Sequence, residues 1–278
     1  METIYIHEVI KFGDYENMKN LQQKGDIFAR PLGYFQSFEE LDEAMRFDQY
    51  EGTTELQQPK VLMEKGRPVL VADAEGNILG DITSSIIGPM KMSKGYLKNT
   101  PVFCMFSVHS DILRDYQKGT ITSLINPKVK EFGDYVLVIN NYSELINRIK
   151  KFCGEFINRK LTAVPGVVEY VDISTYHGDY GVFKKPNEYS YQNELRIVFD
   201  GIKIPSEDAV IARIGDISDI SVLMPYHQFR NSYKVKLRNL EFDPFLPFKL
   251  QQPRILKMEL VLNKKWSQKD IFKNLRFV

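Results

Sequence analysis

Residues 189–199 read Tyr189-Ser190-Tyr191-Gln192-Asn193-Glu194-Leu195-Arg196-Ile197-Val198-Phe199. Apolar side chains alternate with other residues from position 195 to 199, which predicts a β-strand. Gln192 and Glu194 precede its apolar part and lie two positions apart, so on an extended backbone they point to the same side. An amide beside a carboxylate suits a hydroxyl-rich substrate. The alternative is an edge strand whose polar residues face solvent.

Composition indicates a folded soluble protein. The chain has 278 residues, of which 43% are hydrophobic and 26% charged. It contains no apolar run of about 18–20 residues, and its first residues do not resemble a secretion signal. Its two cysteines, Cys104 and Cys153, lie in apolar segments and are expected to be free thiols. We therefore predict a cytoplasmic protein without a membrane partner, built as a single domain over residues 1–278.

Charge is distributed unevenly along the chain. Residues 1–56 carry 12 acidic and 5 basic residues, whereas residues 230–278 carry 4 acidic and 12 basic residues. A basic C-terminal segment over residues 230–278 can face nucleic acid or another anionic partner. It can equally be a solvated face that pairs with the acidic N-terminal part.

The order of predicted elements indicates the fold class. A first strand over residues 3–10 is followed by a helix over residues 15–24, which Asp14 caps and Gly25 ends. A second strand is predicted over residues 26–35, and mostly strands follow, with one central helix from Asn141 to about residue 159. A β-hairpin insertion is expected at about residues 60–100. This pattern predicts an α+β fold with a split, mostly antiparallel sheet and flanking helices.

Several common functional motifs are missing from the sequence. It has no glycine-rich phosphate loop, no Gly-x-Ser-x-Gly nucleophile elbow and no Cys/His cluster. The four histidines are scattered, so a structural zinc site is not expected. Irregular βαβ alternation also excludes a doubly wound nucleotide-binding fold.

What remains is a set of residues spread along the chain. His7 lies on the first strand, Gly25 follows the first helix, residues 28–35 are rich in aromatics, and Glu194 opens a late strand. This order resembles the ADP-ribosyltransferase superfamily over residues 4–35 and 189–199. In its diphtheria-toxin and poly-ADP-ribose-polymerase-like branch, a first-strand histidine precedes a helix, a glycine and an aromatic strand. In its arginine-type toxin branch, the catalytic glutamate belongs to a Gln/Glu-x-Glu motif, which Gln192-Asn193-Glu194 matches.

The resemblance implies a fold, a substrate and roles for individual residues. NAD is the implied substrate, with Glu194 stabilising the positive charge that develops on its ribose and Gln192 orienting the acceptor nucleophile. His7 or Arg30 is implied to hold the adenosine ribose or the phosphates, and the sequence leaves both open. The remaining implied contacts to NAD come from Tyr34 or Phe35, stacked on nicotinamide, and from Ser107 in the nearest likeness to a Ser-Thr-Ser strand. Arg46, Asp48 and Glu51 form a charged group that either lines the entrance for NAD or the acceptor or is a surface ion-pair cluster of little energetic weight.

The implied protein is an enzyme that modifies a macromolecule, either nucleic acid or protein. A role as a toxin or phage-defence effector, with an inhibitory antitoxin partner, belongs to the same hypothesis. Two other functions fit the sequence. One is a metal-dependent nuclease with Asp48, Glu51 and Glu194 as carboxylates and Arg196 where such enzymes often have lysine. The other is a non-enzymatic binding protein, such as a defence-system or phage accessory subunit.

Overall fold

The chain folds as a mixed α+β structure whose sheets are mostly antiparallel. The computed structural model describes residues 4–36, 47–156, 160–237 and 240–248. Within these ranges the helices are α1 (Tyr15–Lys24), α2 (Pro59–Glu64), α3 (Gly95–Lys98), α4 (Ser110–Lys118), α5 (Tyr142–Gly154) and α6 (Tyr226–Ser232). None of them is long and apolar enough to cross a lipid bilayer. The predicted fold class, α+β with mostly antiparallel sheets, is confirmed by these elements and their pairing.

The same ranges contain the strands of the fold. They are β1 (Ile6–Gly13), β2 (Asp26–Pro31), β3 (Thr53–Gln57), β4 (Leu70–Ala72), β5 (Ile78–Asp81), β6 (Met90–Ser93), β7 (Pro101–His109), β8 (Tyr135–Ile139), β9 (Thr162–Val167), β10 (Glu169–Val171), β11 (Gly178–Asp179), β12 (Lys184–Pro186), β13 (Glu194–Asp200), β14 (Val210–Arg213), β15 (Ser221–Pro225), β16 (Val235–Leu237) and β17 (Leu240–Phe242).

The main sheet is built around β7. Its order is β14-β2-β7-β1-β8-β15, and β13 pairs with β7 while β9 pairs with β13. All of these pairings are antiparallel. Because β13 lies between β7 and β9, it is an interior strand, and the edge-strand alternative for residues 189–199 is wrong.

The main sheet is split along one edge of β7. On that edge β1 pairs with residues 106–109 and β2 with residues 101–102, while β13 pairs with residues 102–106 on the opposite edge. Residues 103–105 therefore have no strand partner on the split edge among the described residues. The Lys11 Nζ donates to the Cys104 carbonyl at 2.6 Å, so one of these backbone groups is satisfied by a side chain instead.

Helix α1 forms as its capping residues predict. The Asp14 carboxylate accepts a hydrogen bond from the Asn17 backbone N–H at 2.8 Å, and Gly25 ends the helix with a left-handed backbone at φ 63°. The helix connects β1 to β2, and therefore spans the two sides of the split. The similarly capped helix α5 begins after Asn141 as predicted, but ends at Gly154.

Other local predictions need correction. The strand predicted over residues 26–35 ends at Pro31, and residues Leu32–Gln36 form a 3₁₀ turn that carries Tyr34 and Phe35. Pro31 has no N–H for a ladder hydrogen bond, which explains the early end. The hairpin near residues 70–81 is present as β4 and β5. The basic segment predicted over residues 230–278 is described only as far as Phe248.

Two apolar clusters pack on the two faces of the main sheet. The first is formed with α4 and α6 and includes Ile10, Phe106 and Phe229. The second is formed with α1 and α5 and includes Leu195 and Ile197 from β13. Alternation along β13 therefore directs Glu194 and Arg196 away from the second cluster, towards the face that also carries Phe106.

Candidate functional site

Two charged residues of β13 lie at the centre of the site. Glu194 and Arg196 are 5% and 1% exposed, and Arg196 is the bulkiest of the fully buried side chains. The Arg196 Nε donates to Glu194 Oε1 at 2.5 Å. Burying a charged pair is costly unless both members find further partners, and the neighbouring strands supply these partners.

Glu51 supplies the partner for the rest of the Arg196 guanidinium. It lies just before β3, and its carboxylate accepts from both terminal nitrogens of Arg196, with 3.0 Å between Nη1 and Oε2. The Val182 carbonyl accepts a further bond from Nη1 at 2.5 Å. This two-pronged geometry is the arrangement in which arginine binds carboxylates most strongly.

Lys185 of β12 completes the group. Its Nζ donates to Glu194 Oε2 at 3.0 Å and to Gln192 Oε1 at 2.9 Å, and lies 3.6 Å from Glu51 Oε1. We refer to Glu51, Lys185, Gln192, Glu194 and Arg196 as the ion cluster. Its two carboxylates and two cations balance in charge.

The ion cluster fixes the protonation states of its members. Burial alone raises the pKa of Glu194, but Arg196 and Lys185 outweigh it and hold that pKa well below the usual range. Burial alone lowers the pKa of Lys185, but Glu194 and Glu51 outweigh it and raise that pKa above its ordinary value. Glu194 therefore stays ionised and Lys185 stays protonated at neutral pH.

Asp48 is a further buried acid beside the cluster. It is fully buried, and Oδ1 accepts from the Tyr50 backbone N–H at 2.9 Å, whereas Oδ2 has no hydrogen-bond partner in the part of the chain that the structure describes. Burial, followed by repulsion from Glu51, raises the pKa of Asp48 to about 7. Asp48 and Glu194 are therefore two carboxyl groups whose environments shift their pKa values in opposite directions.

A cavity of about 730 Å³ opens beside the ion cluster. One wall consists of the ion cluster and of residues 102–106 of β7, at the edge where the main sheet splits. Arg30, Tyr34 and Phe35 line the same cavity. The site therefore combines a buried, ionised carboxylate with an aromatic wall, in a volume that suits a small organic ligand.

The aromatic wall is ordered by stacking. The Arg30 guanidinium lies 4.3 Å from the Tyr34 ring centroid, and the rings of Tyr34 and Phe35 meet edge to face at 5.5 Å. The Arg30 Nη1 donates to the carbonyls of Glu207 and Asp208, at 2.9 and 3.1 Å. These contacts hold the arginine side chain in place at the cavity wall.

The structure brings together five of the eight residues proposed from the sequence to contact substrate. Arg30, Tyr34, Phe35, Gln192 and Glu194 all line the cavity. The side chains of Gln192 and Glu194 both accept a hydrogen bond from Lys185. The extended backbone that was predicted to bring them to the same side is absent. Gln192 ends a 3₁₀ turn, Asn193 adopts a left-handed backbone at φ 38°, and only Glu194 begins β13.

The other three residues are placed differently. Ser107 is fully buried, and its hydroxyl donates to the Asn193 carbonyl at 3.1 Å, so it supports the turn before Glu194 and is not part of the cavity wall. His7 lies on β1 outside the cavity wall, and burial lowers its pKa. Arg46 lies outside the described residues.

Sequence reasoning missed Lys185, the residue that joins both halves of the Gln-x-Glu motif. The only signal was a basic pair, Lys184-Lys185, which is ordinarily read as solvent-exposed. The three carboxylates considered for a nuclease, Asp48, Glu51 and Glu194, do meet around Lys185 and Arg196. Within the described ranges, however, no group of three or more His, Cys, Asp or Glu residues is arranged to hold a metal ion.

Comparison with known proteins gives no relative for this chain: no family model, no curated protein and no solved structure matches it.

Proposed function

We propose that the protein is an ADP-ribosyltransferase that cleaves the nicotinamide–ribose bond of NAD and transfers ADP-ribose to a macromolecule. One observation carries the proposal. Arg30, Tyr34 and Phe35 line the same cavity as Gln192 and Glu194, although the two groups are far apart in the chain. These are five of the eight residues proposed from the sequence to contact substrate. The cavity volume of about 730 Å³ falls within the roughly 300–1,000 Å³ that is common for small-molecule sites.

Glu194 is suited to stabilise the charge that develops during the reaction. As the C–N bond breaks, its electron pair leaves with nicotinamide and positive charge grows on the ribose. Glu194 stays ionised, and it already accepts hydrogen bonds from Arg196 and Lys185. A carboxylate has about four acceptor positions, so about two remain for ribose hydroxyls.

The remaining steps follow from the same placement. Tyr34 or Phe35 stacks on the nicotinamide ring, and Arg30 holds a phosphate or the adenosine ribose. The acceptor nucleophile then attacks the ribosyl carbon and releases its proton to water. The proposal includes nucleic acid or protein as acceptor, and activity as a toxin or phage-defence effector under the control of an antitoxin.

The decisive experiment measures NAD binding by calorimetry and nicotinamide release from labelled NAD. Glu194→Gln is expected to lower turnover by at least about 10²–10³-fold. Glu64→Gln is the matched control, because Glu64 is an exposed glutamate of α2. A wild-type protein that neither binds nor cleaves NAD contradicts the proposal.

A second variant protects the experiment against loss of folding. Glu194 belongs to a buried ion cluster, so its replacement also lowers stability. Tyr34→Ala leaves the ion cluster intact and is expected to weaken NAD binding by about three- to tenfold through lost stacking. Tyr15→Ala, on the half-exposed tyrosine of α1, provides the matched control. Unchanged NAD affinity in folded Tyr34→Ala protein removes the aromatic wall from the proposal.

The nuclease alternative is tested in the same preparation. Its one supporting observation is that Asp48, Glu51 and Glu194 converge, but Lys185 and Arg196 occupy the oxygens that a metal ion would need. Cleavage of DNA or RNA that requires Mg²⁺ and proceeds without NAD would favour this alternative over the transferase.

A further inference from the structure

The hairpin formed by β4 and β5 exposes an unusual amount of apolar surface. We define the hairpin arm as residues 68–98, which contain this hairpin, β6 and α3. Ile87 is 100% exposed, and Ile78 and Leu79 are 65% and 67% exposed. Leu70, Val71 and Ile82 are also exposed. Concentrated exposure of large aliphatic side chains marks an interaction surface.

The hairpin has no neighbouring strand. β4 and β5 form a two-stranded sheet by themselves, and neither pairs with another strand in the described ranges. Consecutive residues point to opposite faces, so the exposure of both Leu70 and Val71 means that neither face is covered. A two-stranded hairpin in water is marginally stable, and its open edges favour further pairing. The hairpin therefore lacks the packing partner that such a structure needs.

The charges of the hairpin arm indicate which partner fits. Residues 68–90 carry three acidic residues, Asp73, Glu75 and Asp81, and no lysine or arginine. Residues 91–98 carry three lysines, Lys91, Lys94 and Lys98, and no acidic residue. One half of the arm is therefore complementary in charge to the other half. In a pair of copies, the acidic part of each arm can therefore contact the basic part of the other.

We propose that the hairpin arm joins this protein to a second copy of the same chain in a two-fold symmetric dimer. In an isologous interface each patch meets the other copy's complementary patch twice. The acidic turn around Glu75 of each copy faces the lysines around Lys94 of the other, and the exposed aliphatic side chains of the two hairpins bury one another. This interface is independent of the chemistry of the cavity.

The test is sedimentation velocity over a concentration series, with charge-reversed variants. Glu75→Lys and Lys94→Glu alter exposed side chains, and neither side chain forms an ion pair within the described part of the chain. Wild-type protein is expected to sediment at twice the monomer mass at micromolar concentrations. Each variant alone repels itself at two places in the dimer, and its dissociation constant is expected to rise about tenfold or more.

The mixture of the two variants gives the sharpest result. An equimolar mixture restores both attractive contacts in a heterodimer, so dimer formation is expected to return to the wild-type level. Glu155→Lys, an exposed charge reversal on the segment after α5, is the control and leaves dimerisation unchanged. The proposal is overturned if the wild-type protein is monomeric. A monomer whose hairpin arm binds anionic vesicles would overturn it in the same way. It is equally overturned if the variants dimerise like wild type or if the mixture associates no better than either variant.

Discussion

Glu51 and Arg196 are 145 positions apart and form a fully buried ion pair with two parallel hydrogen bonds. The pair ties the region just before β3 to the interior strand β13. Because Arg196 also binds Glu194, it fixes the orientation of the carboxylate that faces the cavity. The ion cluster therefore positions Glu194 and at the same time links distant parts of the chain.

Breaking this pair from one side is expected to be strongly destabilising. Glu51→Gln leaves the Arg196 guanidinium buried with one carboxylate instead of two, and such changes cost about 3–5 kcal/mol. Urea denaturation followed by circular dichroism measures the loss. The exposed substitution Glu64→Gln is expected to change the free energy of unfolding by less than about 0.5 kcal/mol.

A double-mutant cycle separates the pair from its surroundings. Arg196→Met removes the cation, and the double variant with Glu51→Gln then lacks both members of the pair. We expect the double variant to be less destabilised than the sum of the two single variants, because each single variant leaves a buried charge without one of its partners. Simple additivity would show that Glu51 and Arg196 do not interact energetically.

Asp48 is expected to make stability depend on pH in a defined direction. Its pKa is about 7 in the folded protein, compared with the ordinary aspartate value of 3.8 in the unfolded chain, so the folded state holds a proton that the unfolded state releases. The stability contributed by this proton is fully present below about pH 4 and is lost as pH rises to about 7. Asp48→Asn has no ionisable group at this position, so this loss of stability with rising pH is absent from the variant.

We therefore expect Asp48→Asn to be more stable than wild type at pH 8, with the difference shrinking steadily towards pH 4. Urea denaturation of both proteins at several pH values measures it. Asp179→Asn, on the exposed aspartate of β11, serves as the control for removal of one carboxylate at the surface. A pH-independent difference for Asp48→Asn would show that this carboxyl group has an ordinary pKa in the folded protein.

The local parts of the fold were accessible from the sequence, and the reason is that their determinants are local. Asp14 and Gly25 define helix α1 because a cap and a left-handed glycine act within a few residues. The alternation of residues 195–199 identified β13 for the same reason. Tyr34 and Phe35 were placed on a strand wrongly, because Pro31 ends β2 before them.

The site was accessible only in part, because its assembly depends on contacts between distant segments. Glu194 and Gln192 were found through their spacing, but Lys185 carries no local signal of burial and becomes recognisable only when two carboxylates surround it. Ser107 was proposed from a short sequence likeness. Its register on β7 instead directs its hydroxyl to the Asn193 carbonyl.

Lys185 is expected to control the protonation of Glu194. Lys185→Gln keeps a polar group near Gln192 but removes one of the two cations that lower the pKa of Glu194, so that pKa is expected to rise. If the protein turns over NAD, the acid limb of its pH–rate profile moves to higher pH. An acid limb at the wild-type position in Lys185→Gln would contradict this role of Lys185.

The turn after α1 offers a test of how tightly the first helix is held against the sheet. Gly25 and Gly66 have nearly the same left-handed backbone, with φ values of 63° and 61°. A Cβ on Gly25 would lie 2.1 Å from the Gly215 carbonyl oxygen, whereas a Cβ on Gly66 meets nothing within 4 Å. Alanine at Gly66 therefore introduces only backbone strain, about 1–2 kcal/mol. Alanine at Gly25 adds a clash with the backbone that follows β14, so we expect a clearly larger loss of stability. Thermal denaturation of the two variants decides the matter, since equal losses would mean that Gly215 moves aside at little cost and that the contact between this turn and the sheet is loose.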